Sequence, residues 1–160
     1  MLMASQSFSQ YKYTVSIGAN HERQFAASGM HIRLYYNLHE HIHFLAGYSY
    51  YFEDVEKSEV ESITYEIRSI DVNFNYIIFL GKRFGIYPIL GFNYSFGSEI
   101  IVNDDARFEN FKESLGMNAG FGASYEMGRF RPYIESTSVI TVQSFLIYSA
   151  GLSYSFGKTE

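Results

Sequence analysis

Along most of this chain, apolar side chains alternate one-for-one with polar or small ones. That two-residue period belongs to a β-strand whose two faces meet unlike surroundings. In the segment from Tyr11 to Asn20, Tyr11, Tyr13, Val15, Ile17 and Ala19 form one face, and Lys12, Thr14, Ser16, Gly18 and Asn20 the other. The same split recurs over 31–38, 41–52, 70–79, 86–96, 115–127, 130–137 and 146–156, which predicts eight strands. No stretch approaches the roughly 20 consecutive apolar residues of a membrane helix. Helical spacing fits none of these segments as well.

The connections alternate in length. Short turns carrying glycine or polar residues are expected at His39–Glu40, Gly81–Lys82–Arg83 and Gly128–Arg129. Longer loops are expected at 20–29, 53–69, 97–114 and 139–144. Short turns on one rim and long loops on the other describe an up-and-down barrel set in a membrane. The polar face is crowded with Gly, Ser and Asn, which suits a narrow interior. The other face carries bulky aromatics, drawn from 15 Tyr and 15 Phe without a Trp, and would meet water poorly. The fold predicted is therefore all-β: a closed antiparallel up-and-down transmembrane β-barrel of eight strands, over 11–157. Residues 1–10 read as the remnant of a signal peptide or as a disordered arm. A soluble, lipocalin-like barrel binding an apolar ligand is the alternative, and it would turn the apolar face inward.

Composition removes other classes. Without cysteine there is neither a disulfide framework nor a thiolate metal site. The formal charge of −5 gives no basic footprint, so no nucleic-acid partner is expected.

The last strand, Ser149-Ala150-Gly151-Leu152-Ser153-Tyr154-Ser155-Phe156, resembles the C-terminal assembly signal of outer-membrane barrels, with Gly151, Tyr154 and Phe156 carrying the likeness. The chain runs four residues beyond Phe156, a departure from that pattern. With its strand count, 11–156 resembles the eight-stranded outer-membrane families related to OmpA and OmpX. The resemblance implies a bacterial outer-membrane location, with outer-membrane lipids, lipopolysaccharide and the barrel-assembly machinery as partners, and a structural or surface-interaction role.

Candidate site residues follow from the inward face. Lys12, Arg33, Asp71, Glu126, Arg131 and Glu135 are expected to form an interior polar network, because enclosed charges must be paired or wetted. A two-residue hairpin with Gly128 first sets Glu126 opposite Arg131. An eight-stranded interior is just wide enough to be filled by side chains, so the network reads as a plug rather than a conduction path. His31, His39, His41 and His43 invite a metal reading. Register, however, puts His31 about 20 Å along the strand from the others, and no metal or cofactor is expected. Lipid A-modifying barrels are the enzymatic alternative. The deacylase type needs His-x-Ser and the palmitoyltransferase type an Asp-Ser pair with a loop histidine. The chain has neither dipeptide pattern, and no catalytic residue is assigned. The segments 53–69 and 97–114 are acidic, with Glu53, Asp54, Glu56, Glu59, Glu61, Glu66, Asp104, Asp105, Glu109 and Glu113. They read first as solvated loop tips. Ile63, Tyr65, Ile100, Ile101, Val102, Phe108 and Phe111 among them allow protruding strands that meet a surface partner.

Overall fold

A computed structural model describes residues 11–24, 26–57, 61–103, 106–142 and 144–158. The strands are β1 (Tyr11–Glu22), β2 (Ser28–His39), β3 (Ile42–Lys57), β4, β5 (Phe84–Asn103), β6 (Ala106–Tyr125), β7 (Phe130–Ile140) and β8 (Phe145–Lys158). β4 runs over Glu61–Tyr76 and, after a break at Ile77, over Ile78–Leu80. Each strand pairs antiparallel with its neighbours in sequence, β1 pairs with β8, and β4 pairs with β5, so the sheet closes on itself. Closure leaves no unpaired edge within the wall, which hydrocarbon would not tolerate.

Alternation has become inside and outside. Phe74, Phe92, Phe121 and Leu152 are 42%, 59%, 75% and 45% exposed and point away from the axis, whereas Thr14, Ser16, Asn93, Asn118 and Ser153 are buried. Outward residues on β4 run from Ile70 to Leu80. At about 3.4 Å per residue and a tilt of about 40°, that run covers roughly 25 Å, the height of a transmembrane apolar band. Tyr and Phe girdle both ends: Tyr13, Phe84, Tyr125, Phe130 and Phe156 near the short turns, and Tyr48, Phe52 and Tyr94 at the other rim.

Glycine makes room for the large interior side chains. Gly122 faces Tyr87 across β5 and β6, and a Cβ there would lie 2.3 Å from the Tyr87 ring. Gly151 faces Tyr133 across β7 and β8, and its Cβ would lie 2.5 Å from the phenolic oxygen. An inward glycine is thus the socket for an aromatic ring lying over the neighbouring strand. The turn at Gly128 (φ 69°), closed by a bridge between Met127 and Phe130, has the positive first φ of a type II′ hairpin.

The wall is uneven in height. β3 to β6 continue well beyond the point where β2 and β7 end. The expected loops at 53–69 and 97–114 are therefore mostly strand: residues 53–57 and 61–69 pair within β3 and β4, and 97–103 with 106–114 within β5 and β6. These segments also alternate, but their alternation mixes charges with apolar groups, which read as solvated tips. Ladder hydrogen bonds to a neighbour of equal length extend the strands regardless of that polarity. The expected loops at 20–29 and 139–144 also shorten, with β1 reaching Glu22, β2 starting at Ser28 and β7 ending at Ile140. Residues 1–10 and the side chains of Glu53, Asp54, Glu56, Glu59, Glu61, Ile63, Tyr65, Ile101, Val102, Asp104, Asp105, Phe108 and Glu109 lie outside the described residues.

Candidate functional site

Two regions hold the polar chemistry: the lumen, and the sheet that rises beyond it. In the middle of the lumen the Arg33 guanidinium pairs with the Glu135 carboxylate and also donates to Ser149 Oγ at 3.4 Å. Tyr87 donates to Glu135 Oε1 at 2.9 Å. Arg33 is on β2 and Glu135 on β7, with β1 and β8 between them, so the pair crosses the interior. A charge pair enclosed this way is stabilised by its added hydrogen bonds, since desolvation opposes the Coulomb gain.

Above it, the His31 ring is held by Asn20 Oδ1 at 2.6 Å and by the Tyr133 hydroxyl. Asn20 donates to Ser49 Oγ at 3.0 Å and accepts from Ser149 Oγ at 2.8 Å. Asp71 Oδ1 accepts from Asn93 Nδ2 at 2.8 Å and Asn118 Nδ2 at 2.9 Å. Below, the hairpin register sets Glu126 opposite Arg131; both are buried, and the Arg131 guanidinium lies over the Tyr35 ring at 5.7 Å.

Five of the six charges read as interior are therefore buried: Arg33, Asp71, Glu126, Arg131 and Glu135. Lys12 is the correction. Its side chain is half-buried at the short-turn rim, with the ammonium 5.8 Å and 5.7 Å from the ring centres of Tyr13 and Tyr36, which belong to the outer face. A long apolar stem lets the amine reach the rim rather than enter the barrel. Tyr11, read as outward, is buried, with the Arg129 guanidinium over its ring at 5.6 Å. Of the three residues that carry the likeness to an assembly signal, Gly151 seats Tyr133, Tyr154 packs against Phe130, and Phe156 is exposed beside Tyr13.

The sequence reading missed the interior histidine-centred group, since Asn20, Ser49, Ser149 and Tyr133 are individually unremarkable polar residues. Their shared inward parity was the available signal. At the short-turn rim, His39 and His41 stack with ring centres 5.8 Å apart, and His41 Nδ1 contacts the carbonyl of Ile77 at 2.8 Å. The same residue's carbonyl accepts from Ile77 N–H at 2.7 Å. His41 thereby satisfies both main-chain groups where β4 is interrupted. Apolar side chains close the lumen near each end: Ile77, Tyr87, Ile89 and Phe79 at the short-turn side, and Ala27, Tyr51, Val139 and Ile147 at the other.

Beyond the wall, β3 has no partner other than β4 from Phe52 onward, and β6 has none other than β5 over Ala106–Leu115, among the described residues. The result is a four-stranded sheet with two open edges. Phe111 on the β6 edge is exposed. At its base Arg68 pairs with Glu66 and lies 5.9 Å from the Tyr50 ring centre. The hydrogen bond to Glu66 raises the guanidinium above its already high ordinary pKa, so the charge is permanent.

Solved structures share this architecture. Ail, the attachment invasion locus protein of Yersinia pestis, aligns over 92% of this chain and 99% of its own, with a TM-score of 0.69 and 13% identity. The N-terminal β-barrel domain of Pseudomonas aeruginosa OprF aligns over 92% and 100%, at a TM-score of 0.66 and 16% identity. Neisserial surface protein A aligns over 91% and 97%, at 0.63 and 16%. The fold is that of the eight-stranded outer-membrane barrels. No protein-family model and no curated protein matches the chain in sequence. The likeness therefore rests on architecture, and it agrees with the OmpA- and OmpX-like pattern of the strands.

Proposed function

We propose that this protein resides in a bacterial outer membrane and acts at its surface, its lumen serving as a structural plug and its protruding sheet as the contact region. One observation carries the reading: the only long unpaired strand edges among the described residues stand on β3 and β6, at the end of the barrel away from the short-turn rim. Such edges expose rows of main-chain donors and acceptors that an extended partner segment can pair with. Outer-membrane lipids and lipopolysaccharide surround the apolar wall in this reading. Gly151, Tyr154 and Phe156 on β8 serve recognition by the barrel-assembly machinery.

Charge narrows the partner. Ail is known in complex with a heparin analogue, sucrose octasulfate. Here the segments 53–69 and 97–114 carry six and five carboxylates against two basic residues each, a poor surface for a polysulfate. A basic or neutral partner fits better. The reading is non-catalytic, supported by the engagement of both His31 ring nitrogens within the closed interior.

Cells displaying the full chain should adhere to surfaces coated with basic protein and not to heparin, and a chain lacking 99–110 should lose that adhesion. Equal adhesion by the trimmed chain would remove the protruding sheet from the function. Lipid A mass spectra from cells with and without the gene should match; a new acylation or deacylation product would replace this reading with the enzymatic one. Planar-bilayer recordings of the pure protein should show no stable, large conductance.

A further inference from the structure

The two ends of the barrel differ in the sign of their charge. At the end with the tall strands, segments 53–69 and 97–114 hold six and five carboxylates against two basic residues each. The short-turn rim is the reverse. Its described side chains include four cations, Lys12, Lys82, Arg83 and Arg129, and one exposed carboxylate, Glu40. Glu40 lies 3.5 Å from the His41 ring nitrogen, and none of the four cations has a carboxylate partner among the described residues. Glu126, the other acid near this rim, is buried inside the barrel, opposite Arg131.

Two of these cations are held against the outer wall, on either side of the seam where β8 meets β1. Arg129 donates to the Tyr154 hydroxyl at 3.2 Å, with its guanidinium 5.6 Å from the centre of the Tyr11 ring. The Lys12 ammonium lies 5.8 Å and 5.7 Å from the ring centres of Tyr13 and Tyr36. These rings belong to one aromatic ledge across β7, β8, β1 and β2. Along it Phe130 meets Tyr154 at 5.3 Å, Phe156 meets Tyr13 at 6.0 Å, and Tyr13 meets Tyr36 at 5.7 Å between ring centres.

A ring face attracts and orients a cation without neutralising it. Arg129 and Lys12 are therefore positioned, still charged, and supplied with further N–H groups for an anion. Aromatic rings at the end of an apolar wall mark the level of lipid headgroups. Cations seated on such a ledge stand at the height of the phosphates. Their place on the outer wall, rather than at the mouth of the lumen, fits a lipid better than a water-borne acidic partner. A zwitterionic headgroup brings its own amine to the phosphate and gains less from them than a headgroup of net negative charge.

We propose that the short-turn rim binds anionic glycerophospholipid headgroups of the leaflet it faces, with Arg129 and Lys12 meeting the phosphate. Lys82 and Arg83, on the turn between the strands β4 and β5, add attraction from the far side of the rim. This rests on the outer-membrane reading of the chain, and it adds a lipid class and a side. The acidic end is repelled by the surface that attracts the basic one, so the charge of the two leaflets is matched in only one orientation.

The test embeds the full chain in vesicles of equal parts phosphatidylglycerol and phosphatidylcholine with identical acyl chains. Lipids still bound after mild detergent release are then weighed by mass spectrometry that preserves non-covalent complexes. The parent should retain phosphatidylglycerol over phosphatidylcholine by about fivefold or more, as roughly one well-placed cation supplies, and the preference should shrink when 0.5 M sodium chloride is present. Arg129→Gln with Lys12→Gln should abolish the preference while keeping the heat-modifiable gel shift of a folded barrel. Arg129→Lys with Lys12→Arg, which keeps both charges, should retain most of it should the first pair fold poorly. Arg23→Gln, exposed at the opposite end, should leave it unchanged. Equal retention of the two lipids by the embedded parent, or an undiminished preference in the folded double glutamine chain, would overturn the proposal. So would an equal loss from Arg23→Gln, which would make net charge rather than the rim responsible. A parent chain that stays in the aqueous fraction and never enters the vesicles would instead remove the membrane reading beneath it.

Discussion

Arg33 and Glu135 show how little of an interior contact is visible from local pairing. They sit on strands two removed from neighbouring, so period-two parity indicates that both point inward but not that they meet. Their removal has a definite expectation. Glu135→Ala leaves a guanidinium buried beside Tyr87 and Ser149, and breaking such a pair from one side costs about 3–5 kcal/mol. Arg33→Met combined with Glu135→Leu removes both charges, and should recover most of that loss. Urea unfolding in micelles, followed by the gel shift, measures each variant. A double variant as unstable as Glu135→Ala would mean that the hydrogen bonds to Tyr87 and Ser149, rather than charge compensation, decide. Gly122→Val makes a second, steric case, because its Cβ must displace the Tyr87 ring that sits 2.3 Å from the built position. It should destabilise by about 1–3 kcal/mol, as overpacking does, and the same change in a Tyr87→Ala background should cost much less.

At the scale of the strand, parity and register were legible and length was not. The pairing of His31 with Ser49 and Asn37 with His43 follows from the short second turn, and Glu126 opposite Arg131 from the Gly128 hairpin. Lys12 and Tyr11 escaped because a strand end at the rim is not held to the alternation of the wall. The height of β3 to β6 escaped because charged alternation such as that of 53–57 marks a strand with water on both sides as readily as a loop. The protruding parts of β5 and β6 bond mainly to each other and to β4, so the wall should not need them. Joining Ser98 to Phe111, which are opposite in register, through an Asn-Gly turn should leave a heat-modifiable, folded barrel. Failure of that chain to fold would make the protruding hairpin part of the barrel's stability.

At the scale of the whole molecule, one axis orders everything else. Apolar outward side chains occupy a band, interior charges lie within its height, and acidic strands rise from one end. That axis has a consequence that neither a soluble barrel nor an inverted one shares: the cost of an outward charge must depend on depth. Leu90, on the outer face of β5 within the apolar band, is surrounded laterally by Phe74 and Ala119. Arginine there should cost about 2–4 kcal/mol in a phospholipid bilayer, whereas at Phe111, on the free part of β6, it should cost about 0–1 kcal/mol. In a water-soluble barrel the two changes would be nearly equal, because both positions are exposed. Refolding the two variants into vesicles under a urea gradient, against the same variants in micelles, separates position in the bilayer from strand propensity. Equal costs in vesicles would displace the band from where β4 and β5 put it, and with it the assignment of β3 to β6 as the part that stands outside the lipid.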